Sequence, residues 1–269
     1  MAPAAVSSNS SADDTPHHQP FEFNESVQSL VDASDNMKAL PSKYNLGVTN
    51  DTRASSCESL PVIDYSALTS SDPHQRSKAV TELTEASADW GFFVVMQLVN
   101  HGVSEELIGS LFATVREFFS LPDDEKKQYE AKSTSSPIAC GNFNLKSTSN
   151  ETFTLQRILV EYNERTRKMA REMVGAVVEF MELDRDYVEE ALELDSSFQK
   201  FGGNFYPACP QPDQTIGLPP HNDPGLFTIL LIHNRLAGLQ IERKSHWFEV
   251  NSPPNSMIVN VGDHLEVTT

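Results

Sequence analysis

Two side chains in the C-terminal third of the chain are of the right types and spacing to act together: His221 and Asp223, within Pro220-His221-Asn222-Asp223. On an extended backbone, residues two apart leave the same face, so an imidazole nitrogen and a carboxylate oxygen would stand side by side. One histidine and one carboxylate are two of the three ligands of the facial triad that binds iron(II) and leaves three positions open for cosubstrate and dioxygen. His-x-Asp is also common in surface turns, so the spacing alone leaves both readings open.

The surrounding sequence narrows the choice. Asn204-Phe205-Tyr206-Pro207-Ala208-Cys209-Pro210 comes first, then the stretch from Gly217 through His221 and Asp223 to Leu231. Gly238-Leu239-Gln240-Ile241, Trp247 and Val259-Asn260-Val261-Gly262-Asp263 follow in order. Together these motifs resemble the plant 2-oxoglutarate- and iron(II)-dependent dioxygenases, of the flavanone-hydroxylase-like and anthocyanidin-synthase-like kind. The resemblance implies an α/β (α+β type) fold with a double-stranded β-helix, or jelly-roll, core and supporting N-terminal helices. It implies an oxidoreductase that hydroxylates or desaturates a small organic metabolite, such as a flavonoid, alkaloid or hormone-like compound. Iron(II), 2-oxoglutarate and dioxygen are then required, with ascorbate as an accessory. By the same resemblance His221 and Asp223 hold the metal, Asn204 and Tyr206 help to hold 2-oxoglutarate, and Phe143 and Asn144 lie in a loop that folds over the substrate.

In the resembled family a second histidine ligand and an Arg-x-Ser pair that grips 2-oxoglutarate lie further along than Thr269, so the C-terminal strands are expected to be missing. Three expectations follow. Turnover should be weak, the sheet should end in exposed edges, and the segment 257–261 should be poorly covered. A catalytically impaired relative acting as a binding protein is the alternative. His233, His246 and His264 are the histidines that could stand in as third ligand, His264 foremost because it follows Gly262-Asp263. A zinc hydrolase built on the His-Asp pair lacks a suitably spaced general base.

The elements that must position these residues can be read from periodicity. Residues 60–65 read as a strand, 77–89 as a helix closed by Gly91, and 92–99 as a buried strand. Ser104, followed by Glu105 and Glu106, caps a helix over 104–119, whose apolar stripe is Leu107, Leu111, Val115 and Phe118. His101 reads as structural. A short helix is expected at 123–129, a long amphipathic helix at 157–182, and a further turn or two at 186–192. The family carries a tryptophan-containing strand before the long helix. Here Thr152-Phe153-Thr154-Leu155 runs straight into it, so a minor-sheet strand and part of the substrate wall should be absent. Strand signals then crowd together at 199–206, 226–232, 239–242, 246–250 and 257–261.

These segments divide the chain into an N-terminal extension (1–58), an N-terminal dioxygenase region (59–155), support helices (156–197) and the jelly-roll domain (198–269). Residues 1–20, including His17-His18, are too polar to bury much surface. A net charge of -18 opposes phosphate backbones and anionic membranes, which argues against nucleic-acid binding. The three cysteines, Cys57, Cys140 and Cys209, have no metal-knuckle spacing and read as reduced thiols. No stretch approaches a spanning helix and the N-terminus lacks a secretory pattern, so a cytoplasmic monomer is expected.

Overall fold

The strand at the middle of the main sheet is the last described element of the chain. The computed structural model describes residues 39, 42–44, 60–90, 95–127, 150–223, 225–233 and 238–262, with backbone alone at 43, 87–90, 123, 127 and 150–156. In chain order the elements are β1 (Val62–Asp64), α1 (Tyr65–Leu68), α2 (Pro73–Trp90), β2 (Val95–Val99), α3 (Glu105–Ser120), α4 (Asp123–Lys127), α5 (Asn150–Phe180), α6 (Arg185–Ala191), β3 (Phe227–Leu230), β4 (Gln240–Arg243), β5 (His246–Glu249) and β6 (Met257–Val261). The main sheet runs β1-β2-β6-β3, with β4-β5 as a separate hairpin. β1 is parallel to β2, while β6 is antiparallel to both neighbours, pairing Ile258 with Gln97 and Leu230, and Asn260 with Val95 and Thr228.

Strand alternation sorts the side chains onto two faces. Ile63, Met96, Leu98, Met257 and Val259 join one cluster with Leu83 of α2, Leu107 and Leu111 of α3, and Tyr162, Met169 and Met173 of α5. Val95 and Ile258 point the other way, toward Leu60, Val250, Leu239 and Ile241 at the hairpin. The hairpin therefore closes over the face of the sheet opposite the helices, in the jelly-roll manner that the resemblance implies. The expectation that 257–261 would be poorly covered is wrong: Met257, Ile258 and Val259 are 0% exposed, because β6 is hydrogen-bonded on both sides and packed on both faces. Burying one such side chain stabilises the fold by about 1.5–3 kcal/mol.

Local chemistry sets the element ends. Ser104 accepts the Leu107 N–H at 3.2 Å, with Glu105 and Glu106 in the first turn, as the sequence predicts. Asp184 caps α6 in the same way, through the Tyr187 N–H. The β4-β5 turn puts Lys244 and Ser245 at φ 49° and 62°, the left-handed pair required by a tight hairpin with the twist of its strands. α5 begins at Asn150 and not near residue 157, so it takes up 152–155, where relatives of the resembled family have a strand. No helix among the described residues is long and apolar enough to cross a membrane.

One strand expectation fails. Residues 199–206 form no ladder, since no described strand lies beside them. Their contacts still alternate as in an extended chain. Gln199 donates to Thr166 of α5 at 2.7 Å, and Phe201 meets Tyr162 edge-on at 6.1 Å. Gly203 lies against Val115 of α3, and Phe205 stacks on Phe119 at 5.4 Å. Odd-numbered residues thus pin the segment to the helices.

Candidate metal centre

His221 and Asp223 sit in the irregular loop just before β3, not in a strand, yet their side chains come together: Nε2 of His221 is 3.2 Å from Oδ1 of Asp223. The loop is shaped for this. Gly225, two residues past Asp223, takes φ 104°, a backbone state closed to side chains with a Cβ. The end of β6 presses on the same loop: Gly262 donates its N–H to the Leu226 carbonyl at 2.9 Å, and a Cβ at Gly262 would collide with the Gly225 carbonyl.

Hydrogen bonding decides what the pair can do. The Pro219 carbonyl, 2.8 Å from Nδ1 of His221, can only accept, so Nδ1 carries the proton. With a neutral ring, the Nε2 lone pair then faces a carboxylate oxygen, and two acceptors at this distance require a cation between them or a second proton on the ring. Two ligands at right angles on a metal with bonds of about 2.1 Å are roughly 3 Å apart, which matches the observed gap. A histidine whose far nitrogen is held by a carbonyl is the usual arrangement of a metal ligand. The nitrogen and oxygen donors also suit iron(II). On the other side of Asp223, Oδ2 accepts from Nδ2 of Asn260 at 3.2 Å. Asp223 is the more enclosed partner, its side chain 22% exposed against 50% for His221.

Among the described residues no third His, Cys, Asp or Glu joins the pair. His233 instead meets Arg116 at 2.7 Å and packs on Phe112 of α3, and Nδ1 of His246 bonds the Lys244 carbonyl within the hairpin. His264, like Phe143 and Asn144, lies outside the described residues. His101 is structural as expected: it is 5% exposed and its Nδ1 accepts the Val103 N–H.

Asn204 and Tyr206 do not occupy a strand face, but the alternation of 199–205 leaves them on the side of the segment away from α3 and α5. Asn204 is exposed. The ring of Tyr206 lies against Gly217, so close that a Cβ there would stand 2.8 Å from two ring carbons. Tyr206 thereby braces the loop four residues before His221, and partial burial pushes its phenol above the ordinary value. Residue type and spacing alone give Asn260 and Gly262 no distinct role. The available signal was a polar residue and a glycine closing the apolar run of β6.

Comparison with known proteins places the chain in a family. Residues 60–192 match the family described as the N-terminal region of non-haem dioxygenases in morphine synthesis, and residues 197–269 match the 2OG-Fe(II) oxygenase superfamily. The chain is 36% identical over 240 residues to 2-oxoglutarate-dependent dioxygenase 19 of Oryza sativa subsp. japonica, covering 81% of this chain and 70% of that protein. It is 31% identical to jasmonate-induced oxygenase 4 of Arabidopsis thaliana, over 90% of this chain and 74% of the relative. Its fold is similar to the crystal structure of JOX2 in complex with 2OG, Fe and JA, with TM-score 0.66 and 25% identity over 88% of this chain and 73% of that one. The chain belongs to the 2-oxoglutarate- and iron(II)-dependent dioxygenases, oxidoreductases that use iron(II), 2-oxoglutarate and dioxygen to oxidise small organic metabolites.

Proposed function

We propose that His221 Nε2 and Asp223 Oδ1 are two of the protein ligands to iron(II) in this dioxygenase, and that Asn204 and Tyr206 line the approach of 2-oxoglutarate. The observation that carries the reading is the 3.2 Å gap between the two donors, with Nδ1 of His221 tied to the Pro219 carbonyl. When bound, iron(II) activates dioxygen at the expense of 2-oxoglutarate so that the metabolite is hydroxylated or desaturated. The chain's own groups do the rest. His221 offers a lone pair in a fixed direction, Asp223 brings the negative charge, and the Tyr206 hydroxyl, on the side of its segment away from the helices, can donate to an incoming carboxylate. Phe143 and Asn144 are proposed to contact the metabolite.

A net charge of -18 supports a partner list without nucleic acid, and three widely separated cysteines support action in the reducing cytoplasm. We take the working unit to be a monomer of four regions, 1–58, 59–155, 156–197 and 198–269.

The test is Mn(II) binding by the purified chain, measured together with 2-oxoglutarate binding and succinate release under iron(II). His221→Ala and Asp223→Ala should each abolish Mn(II) binding, and 2-oxoglutarate binding with it. Variants that bind Mn(II) as the unaltered chain does would overturn the assignment.

A further inference from the structure

We infer that Asn260 is a positioning residue that confines Asp223 to one-oxygen contact with the metal, an inference that rests on the His221–Asp223 reading of the site. β6 turns two side chains toward the hairpin-facing side of the sheet, Ile258 and Asn260. Ile258 is buried in the apolar cluster there, and one pleat further on Asn260 reaches the loop that carries Asp223. The two oxygens of that carboxylate have different partners: Oδ1 faces His221 Nε2 at 3.2 Å, and Oδ2 accepts from Asn260 Nδ2 at 3.2 Å. Turning the amide over would set its oxygen against Oδ2, acceptor against acceptor, so the charge of Asp223 fixes which end faces it.

The amide is poorly placed for any purely structural duty. Its Oδ1 is buried without a partner among the described residues, in a position opposite Val95 and Thr228 where an aliphatic side chain would leave nothing unpaired. Its one polar contact among the described residues is with Asp223. That contact has a consequence for coordination. A facial iron(II) site offers three positions to the protein and keeps three for cosubstrate and dioxygen, so a second oxygen from Asp223 would take one of the latter. A donor on Oδ2 holds that oxygen away.

Co(II), whose ligand-field absorption reports coordination number, is the probe, with the full chain carrying Asn260→Leu, Asn260→Asp or His221→Ala. Asn260→Leu removes both polar ends, and Asn260→Asp keeps the shape and replaces the donor by a second charge. Both should show a Co(II) spectrum shifted toward higher coordination number, and Asn260→Leu should also bind Co(II) about 10- to 100-fold more weakly, the range seen when a group supporting a metal ligand is lost. Thermal melting of the metal-free variants separates this from loss of folding. Wild-type affinity and spectrum in either folded Asn260 variant, with binding lost in His221→Ala, overturn the inference and leave the site reading standing; a lowered melting temperature with those values unmoved makes Asn260 a packing residue and also overturns it. Co(II) binding that survives His221→Ala, or is absent from the unaltered chain, overturns the site reading itself.

Discussion

Gly262 and Asp223 meet backbone to backbone: a Cβ at position 262 would stand 3.0 Å from the Asp223 carbonyl oxygen and nearer still to the carbonyl of Gly225. The strand at the centre of the sheet thus ends against the loop that holds the candidate ligands, and its last N–H bonds that loop at Leu226. Gly262→Ala should force the two apart, costing about 1–3 kcal/mol of stability as overpacking does. Urea unfolding measures the cost, and Mn(II) titration should show weaker binding because Asp223 moves. An alanine variant that is as stable and as metal-competent as the parent would mean the loop yields freely.

The Tyr206 ring rests on Gly217, which separates its packing from its hydroxyl. Tyr206→Phe keeps the ring, so melting should be unchanged within about 0.5 kcal/mol. Affinity of the Mn(II)-loaded chain for 2-oxoglutarate should fall about 10- to 100-fold if the hydroxyl donates to a carboxylate. Unaltered affinity in a calorimetric titration would remove the hydroxyl from the cosubstrate site.

His101 is 5% exposed, and burial pushes its imidazole below the ordinary 6.5, against a smaller upward pull from the Asn255 backbone. Above 6.5 both folded and unfolded states hold the ring neutral. As pH falls below 6.5 the unfolded chain takes up a proton that the folded chain refuses, so stability declines until the folded value is reached. His101→Gln should lose this component, and the gap in melting temperature between the two proteins should narrow from pH 7.5 toward pH 5. A constant gap would contradict a buried neutral ring.

At the alkaline end, burial pushes the Tyr162 phenol up to about 12 from 10.0, with the ring edge-on to Phe201. Between those values the unfolded chain ionises first, so stability drains as pH rises through the window, by about 2–3 kcal/mol in full. Tyr162→Phe should flatten that decline in equilibrium unfolding measured from pH 9 to pH 12. An equally steep fall in the variant would assign the alkaline loss to other groups.

Much of this protein is legible one residue at a time. The apolar run of 257–261 marks β6 to the residue, and Ser104 with two glutamates marks the start of α3, because these signals arise from local sterics and unpaired backbone groups. The ordered motifs around His221 and Asp223 carry the family, since the chemistry of a ligand set is written in residue types. What the chain alone could not decide is whatever depends on a neighbour distant in sequence. Residues 199–206 have strand composition but no ladder partner among the described residues, and they lie along α3 and α5. The segment 257–261 reads in sequence as poorly covered, but the fold inserts it between β2 and β3. The same insertion brings Asn260 across 37 positions of chain to the free oxygen of Asp223. Sequence determined which groups could bind a metal, and tertiary packing decided which neighbour each oxygen of Asp223 faces, because only a packed sheet holds a polar side chain against one oxygen and not the other.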